Sequence, residues 1–379
     1  MKKILLFTLA IGVLTFVDCA NDDEISKEYP NETEQTRMGF VTSMQGNAIN
    51  TRGTAVTVSN VDISNFQTWG YDAITDALYM GNSATVGRNV VKNGSGEWEY
   101  SPIQYWPVNR LSFVAIAPAA YSGVTASTTA SSEGVVSIAS EVNLPTDVKQ
   151  QVDLMYAEAD KMEKPIIGGN IPLTFKHALS QVIFKGKFSD AGAVTKVTIA
   201  EITMGGINGT GTVNFTSEGN FHSISSIGTP TAFKLTSENL EGATFETSTE
   251  GTEAFNLTTS ENVTKRNAWF LLPQKTAAAT GGAYVGSTAP ADGAYIKIRT
   301  RMEKDGVIIL DNNEADALYL PLTVNWERSK KYIYTIEFNG TSALTPITFS
   351  VTAEDWKEVV TSDIPKSGDT IISDPSKIL

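Results

Sequence analysis

The chain has 379 residues, 41% of them hydrophobic, which is enough for two domains with cores of their own. Its formal net charge is −13, and no cluster of Lys and Arg with interleaved aromatics occurs. That balance argues against a nucleic-acid partner, which needs basic surface to neutralise phosphates. The one cysteine, Cys19, excludes an internal disulfide and any multi-cysteine metal site.

The chain opens "MKKILLFTLAIGVLTFVDCANDDE". Lys2 and Lys3 precede an apolar run over residues 4–17. That run is too short to cross a bilayer, which takes about 20 residues, and has the size of a signal-peptide core. Residues 1–18 are therefore read as a signal peptide. Cys19, directly behind it, resembles a lipoprotein processing site, cut before the cysteine and acylated on its thiol and new amine. Each buried methylene of such an anchor is worth ~0.8 kcal/mol. Asp18 departs from the small residue that bacterial lipoboxes usually carry there. The acidic run Asn21-Asp22-Asp23-Glu24 resembles the surface-export signal of Bacteroidetes lipoproteins. Residues 19–36 read as an acidic, lipidated tether.

Short alternating runs follow, broken by Gly, Asn, Asp and Ser. In "TRMGFVTSMQ" (36–45), Met38, Phe40 and Met44 share one face, which predicts a first strand over about 37–46. Arg52 sits in "NAINTRGTAV" (47–56), ahead of a second predicted strand at 54–60. "KNGSGEW" (92–98), "EKDGVI" (303–308) and "LDNNEAD" (310–316) carry turn residues. "EKPIIGGNIPL" (163–173), rich in Pro and Gly, is the expected crossover between domains, so the folded part divides into 37–170 and 171–357. In "SQVIFKGKF", Val182, Phe184 and Phe188 line one face, and Lys185 and Lys187 the other. The polar stretch 218–262 reads as loops and short edge strands. Tyr332, Tyr334, Ile336 and Phe338 alternate in "KKYIYTIEF", as do Ile347, Phe349 and Val351 in "ITFSVTAEDW". This pattern predicts half-buried antiparallel strands packed as β-sandwiches. No βαβ rhythm appears.

Chemistry is sparse. His177 and His222 are the only histidines. His177, flanked by apolar residues, is expected to be a structural histidine bonded to a backbone group, since no second His or Cys offers itself as a co-ligand. There is no G-x-S-x-G elbow, P-loop or dinucleotide fingerprint. "DNNE" at 311–314 lacks the spaced ligands and central Gly of a calcium loop. The expectation is therefore no enzyme, no catalytic residue, no metal and no cofactor. Trp98 is the tryptophan expected to be exposed. Asp369-Thr370-Ile371 resembles the O-glycosylation acceptor of Bacteroidetes surface proteins, which makes Thr370 a candidate for that modification.

Separated motifs then agree in order: "QYWPVNRLSFVAIAP" at 104–118, "VDLMYAEA" at 152–159, "IPLTFKHALSQVIFKGK" at 171–187, "NAWFLLPQ" at 267–274, "LYLPLTVNWERSKKYIYTIEF" at 318–338 and "ITFSVTAEDW" at 347–356. This series resembles the fimbrillin family of Bacteroidetes, the pilins of type V fimbriae. The resemblance implies an all-β chain of two tandem transthyretin-like antiparallel β-sandwich domains. It implies a lipidated outer-membrane precursor from which an arginine-specific protease removes lipid, tether and first strand. A C-terminal strand of a neighbouring subunit then fills the groove by β-strand addition. On this plan the cut falls after Arg52 and leaves Gly53 as the new N-terminus. Arg37 is the rival site, but a cut there removes only the tether. The tail, residues 358–379, is the candidate donor strand, although Pro365 and Pro375 each remove a ladder donor. The implied partners are other fimbrial subunits, the outer membrane through the precursor's lipid, and host or bacterial surface ligands. Stalk, tip and anchor roles stay open, as does a monomeric surface lipoprotein that binds glycans.

Overall fold

Period-two alternation turns into one-sided burial along the chain. In a computed structural model of the protein, residues 36–44, 63–120, 124–131, 133–166, 168–189, 194–225, 230–259, 267–339 and 347–355 are described. The fold is nearly all β. In chain order the first strands are β1 (Gly39–Met44), β2 (Asn65–Asp72), β3 (Leu78–Met80), β4 (Arg88–Lys92), β5 (Trp98–Glu99), β6 (Leu111–Ala117), β7 (Val124–Ala130), β8 (Val136–Asn143), β9 (Met155–Met162) and β10 (Asn170–His177). Next come β11 (Ser180–Phe188), β12 (Lys196–Asn208), β13 (Thr210–Thr216), β14 (Phe221–Ser225), β15 (Pro230–Thr236), β16 (Thr244–Glu246), β17 (Phe255–Asn256) and β18 (Trp269–Leu271). The last are β19 (Lys275–Thr276), β20 (Tyr284–Val285), β21 (Tyr295–Lys304), β22 (Val307–Leu310), β23 (Leu318–Pro321), β24 (Val324–Asn325), β25 (Lys330–Phe338) and β26 (Ile347–Asp355). One short α-helix, Thr247–Glu250, and two 3-10 turns, Val148–Gln150 and Glu314–Asp316, interrupt them among the described residues.

The first large sheet runs β1-β10-β9-β6-β2-β4-β5, with β3 also on β2. β6 lies near its middle and is buried at every position. Phe113, Ala115 and Ala117 face a core shared with Phe40, Phe66 and Phe175. Val114 and Ile116 face a second core that also contains Phe184 and Tyr334. A strand covered on both faces explains the unbroken apolar run "LSFVAIA". A four-stranded sheet, β14-β13-β8-β7, joins strands from early and late in the chain. Two further sheets, β15-β12-β21-β23-β20 and β17-β11-β25-β26, complete the larger core.

The alternation in β25 is realised as read: Tyr332, Tyr334, Ile336 and Phe338 are buried. In β11, Val182, Phe184 and Phe188 are buried, with Lys185 and Lys187 half-buried. β26 departs from its pattern. Ile347 is buried and Phe349 packs beside Tyr334, but Val351 is exposed on this edge strand although it lies opposite the buried Tyr334. Two pairings, β1–β10 and β11–β25, are parallel within otherwise antiparallel sheets. The loop at 163–169 joins β9 to β10, which are neighbours in one sheet, and residue 171 lies inside β10.

Candidate functional site

The first strand occupies an edge. Among the described residues β1 bonds only to β10, in parallel register from Gly39 opposite Asn170 to Met44 opposite Phe175. The pleat sends alternate side chains to opposite faces. Met38, Phe40 and Met44 are buried, while Val41 is exposed. The Phe40 ring meets Phe66 edge-on, with centroids 5.3 Å apart, and Tyr100 at 5.7 Å. Burial of each of these three side chains is worth about 1.5–3 kcal/mol. The hydroxyls of Ser43 and Thr174 meet at 3.0 Å on the other face.

The start of β1 is clamped separately. The Met38 amide donates to the Gln104 carbonyl and the Trp106 amide to the Thr36 carbonyl, both at 2.9 Å. Arg37 thus forms a bridge with Tyr105, its side chain exposed. The Tyr100 hydroxyl donates to the Met38 carbonyl at 2.9 Å. Burial pushes the Tyr100 pKa up, against the opposing pull of its hydrogen bond with Gln104 and of Arg37 and Arg88, so the donor proton stays in place. Trp106 Nε1 donates to the Gly169 carbonyl at 2.7 Å, and the Gly39 amide donates to the same carbonyl at 3.2 Å. Tyr100, Trp106 and Gly169 were not singled out from the sequence. Trp106 does stand in the "QYWPVNR" motif, where a bulky aromatic just before a buried strand was the available signal.

Of the residues singled out from the sequence, Arg37 lies at this edge. Cys19, Arg52, Gly53, Thr370 and the predicted strand at 54–60 lie outside the described residues. The ring of His177, expected to bond a backbone group, meets a carboxylate. Its Nδ1 lies 2.6 Å from Oδ2 of the buried Asp153, while its carbonyl accepts from Ser329 Oγ. Trp98 is half-buried rather than exposed, edge-on to Phe66 with Lys92 over its ring. Glu314, in the "DNNE" turn, pairs with Lys297 and Arg299.

Comparison with known proteins follows the same lines. The chain is similar in structure to a fimbrial protein from Bacteroides vulgatus, with a TM-score of 0.57 and 13% identity, over 85% of this chain and 100% of that one. It also matches the tip fimbrial protein Mfa3 from Porphyromonas gingivalis, with a TM-score of 0.37 and 10% identity, over 78% of this chain and 94% of that one. Among curated proteins no relative matches. The fimbrillin-like family matches residues 51–356, most of the chain. This protein belongs to the fimbrillin-like family.

Proposed function

We infer that this chain is a structural subunit of a cell-surface fimbria that supports adhesion. It is made as a lipoprotein precursor acylated at Cys19, cut after Arg52 and polymerised by strand exchange. The observation that carries this reading is the position of β1. It is an edge strand, bonded along one side, that buries Phe40 and Met44, with Met38 buried just ahead of it. A cut between β1 and β2 leaves it held by the β10 ladder, by its buried side chains and by the bonds to Tyr100, Gln104, Trp106 and Gly169. Its departure would open a groove floored by Phe66 and Phe175 beside the unpaired edge of β10, a template for an extended donor segment.

The rival site fits less well. The backbone around Arg37 is already bonded to Gln104 and Trp106, and a protease needs its substrate strand free. A cut there also leaves β1 in the chain. In this reading the folded part comprises two transthyretin-like sandwiches. We draw the boundary between His177 and Ser180, where the chain leaves the β1 sheet for the β25 sheet.

The test is cleavage followed by sizing. Soluble precursor treated with an arginine-specific protease should yield a new N-terminus at Gly53 and ladders that resist mild SDS. A cut elsewhere, or a monomer after the cut at Arg52, overturns the reading. Arg52→Ala should block assembly and leave precursor melting unchanged.

A further inference from the structure

One end of the β1 sheet gathers three loops and the start of β1. The strand register fixes this. Gly39 lies opposite Asn170, Leu111 opposite Met162, and Asp72 opposite Leu111. The start of β1, the loop from β9 to β10, the segment before β6 and the turn after β2 therefore stand side by side. Local bonds tie them together. Asn109 Nδ2 donates to Asp72 Oδ2 at 2.8 Å, the Ala73 amide donates to the Arg110 carbonyl at 2.9 Å, and Arg110 pairs with Glu163.

Each of these loops presents an aliphatic side chain to water. Val108 is 105% exposed, Ile166 90% and Ile74 70%. These are the three most exposed large apolar side chains among the described residues, and the next, Val307, is at 65%. Isolated exposed aliphatics need no explanation, but several on one face mark a contact surface. At a strand spacing of about 4.8 Å, the three tips and Thr36 fall along a ridge roughly 20 Å long. Arg37 and Lys164 are exposed on it.

The location of the ridge identifies its occupant. The described residues begin at Thr36, on the ridge itself, and Cys19 lies 17 residues upstream, a reach of at most roughly 60 Å. We propose that in the precursor this ridge rests on the lipid surface, with Ile74, Val108 and Ile166 dipping into the headgroup boundary and Arg37 and Lys164 facing lipid phosphates. The proposal rests on acylation at Cys19. A tether of this length keeps the tips at high effective concentration beside the bilayer. Three separate protruding tips suit a fluid surface, which accepts them without shape complementarity, whereas a protein partner would need a pocket for each.

The experiment couples the chain beginning at Cys19, through that thiol, to a maleimide lipid in phosphatidylethanolamine–phosphatidylglycerol vesicles. The anchor is then present whether or not cells acylate the cysteine. Hydrogen exchange at 73–76, 107–110 and 163–166 should slow at least tenfold on vesicles. Exchange at the 93–97 turn, at the opposite end of β2, should not change. The Ile74→Asp/Val108→Asp/Ile166→Asp variant should lose the slowing and keep its melting temperature. No slowing on vesicles, or slowing that the variant retains, overturns the proposal. Slowing that appears without vesicles as concentration rises also overturns it and assigns the ridge to a second copy of the chain. The mass of the N-terminal peptide from outer membranes is read separately, and an unacylated peptide overturns the acylation reading on which the proposal rests.

Discussion

The hydroxyl of Tyr100 donates to the main-chain carbonyl of Met38 at 2.9 Å, fastening the start of β1 to the residues that follow β5. Tyr100→Phe removes this bond and leaves the ring in place against Phe40. The precursor should lose about 1 kcal/mol of stability, read as a lower urea midpoint with an unchanged slope.

The two faces of β1 should respond oppositely. Phe40→Ala empties a buried position between Phe66 and Tyr100 and should cost about 3 kcal/mol. Val41→Ala, next in sequence but exposed, should stay within about 0.5 kcal/mol. A strand slipped by one residue would reverse the two results, so paired urea titrations test the register directly.

Gly169 has φ +65°, and a Cβ there would lie 2.3 Å from the Arg37 carbonyl. Gly169→Ala combines backbone strain with a clash against main chain rather than a yielding side chain. The expected cost is about 1–3 kcal/mol. Hydrogen exchange should speed up first at the amides of Met38 and Gly39, which bond to Gln104 and Gly169.

Acid should weaken the second half of the chain through Glu314. The hydrogen bonds from Lys297 and then Arg299 hold its carboxyl below the usual carboxylate value. The folded state therefore binds the proton less readily than the unfolded state. The stabilisation is complete above the ordinary carboxylate pKa and is lost as pH falls through the lower folded value. For Lys297, burial pulls the pKa down, but the bonds to Glu314 and Glu201 outweigh it and the net shift is upward. Its contribution is complete below the ordinary lysine pKa and is lost only as pH rises through the higher folded value. Melting curves of the parent and Glu314→Gln should therefore differ at neutral pH and converge in acid.

The strands and their buried faces were legible wherever one face meets a core. Met38, just ahead of β1, Phe40 and Met44 within it, and the four alternating residues of β25 follow from period two alone. What stayed hidden depends on contacts between distant segments. Nothing in "TRMGFVTSMQ" specifies that its neighbour is β10 or that the pairing is parallel. Val351 alternates as Ile347 does, yet it is exposed on the edge strand opposite a buried Tyr334. His177 looks the same in sequence whether its ring meets a carbonyl or a carboxylate, because Asp153 reaches it through the fold. At the candidate site, the strand was readable, but the Tyr100, Trp106 and Gly169 clamp was not.

The parallel edge also bears on how the protein is made. Ser43 and Thr174 touch across it, yet they are 131 residues apart in the chain. A chain that emerges N-terminus first presents β1 early and its partner β10 much later, after every other strand of that sheet. Contacts of such long separation close slowly, and parallel ladders are slightly weaker per residue than antiparallel ones. The first strand to emerge is therefore the last of its sheet to find a neighbour. Until then the edge of β10 is open to any extended segment within reach, so intermediates halted at this stage should be the ones most prone to wrong pairing.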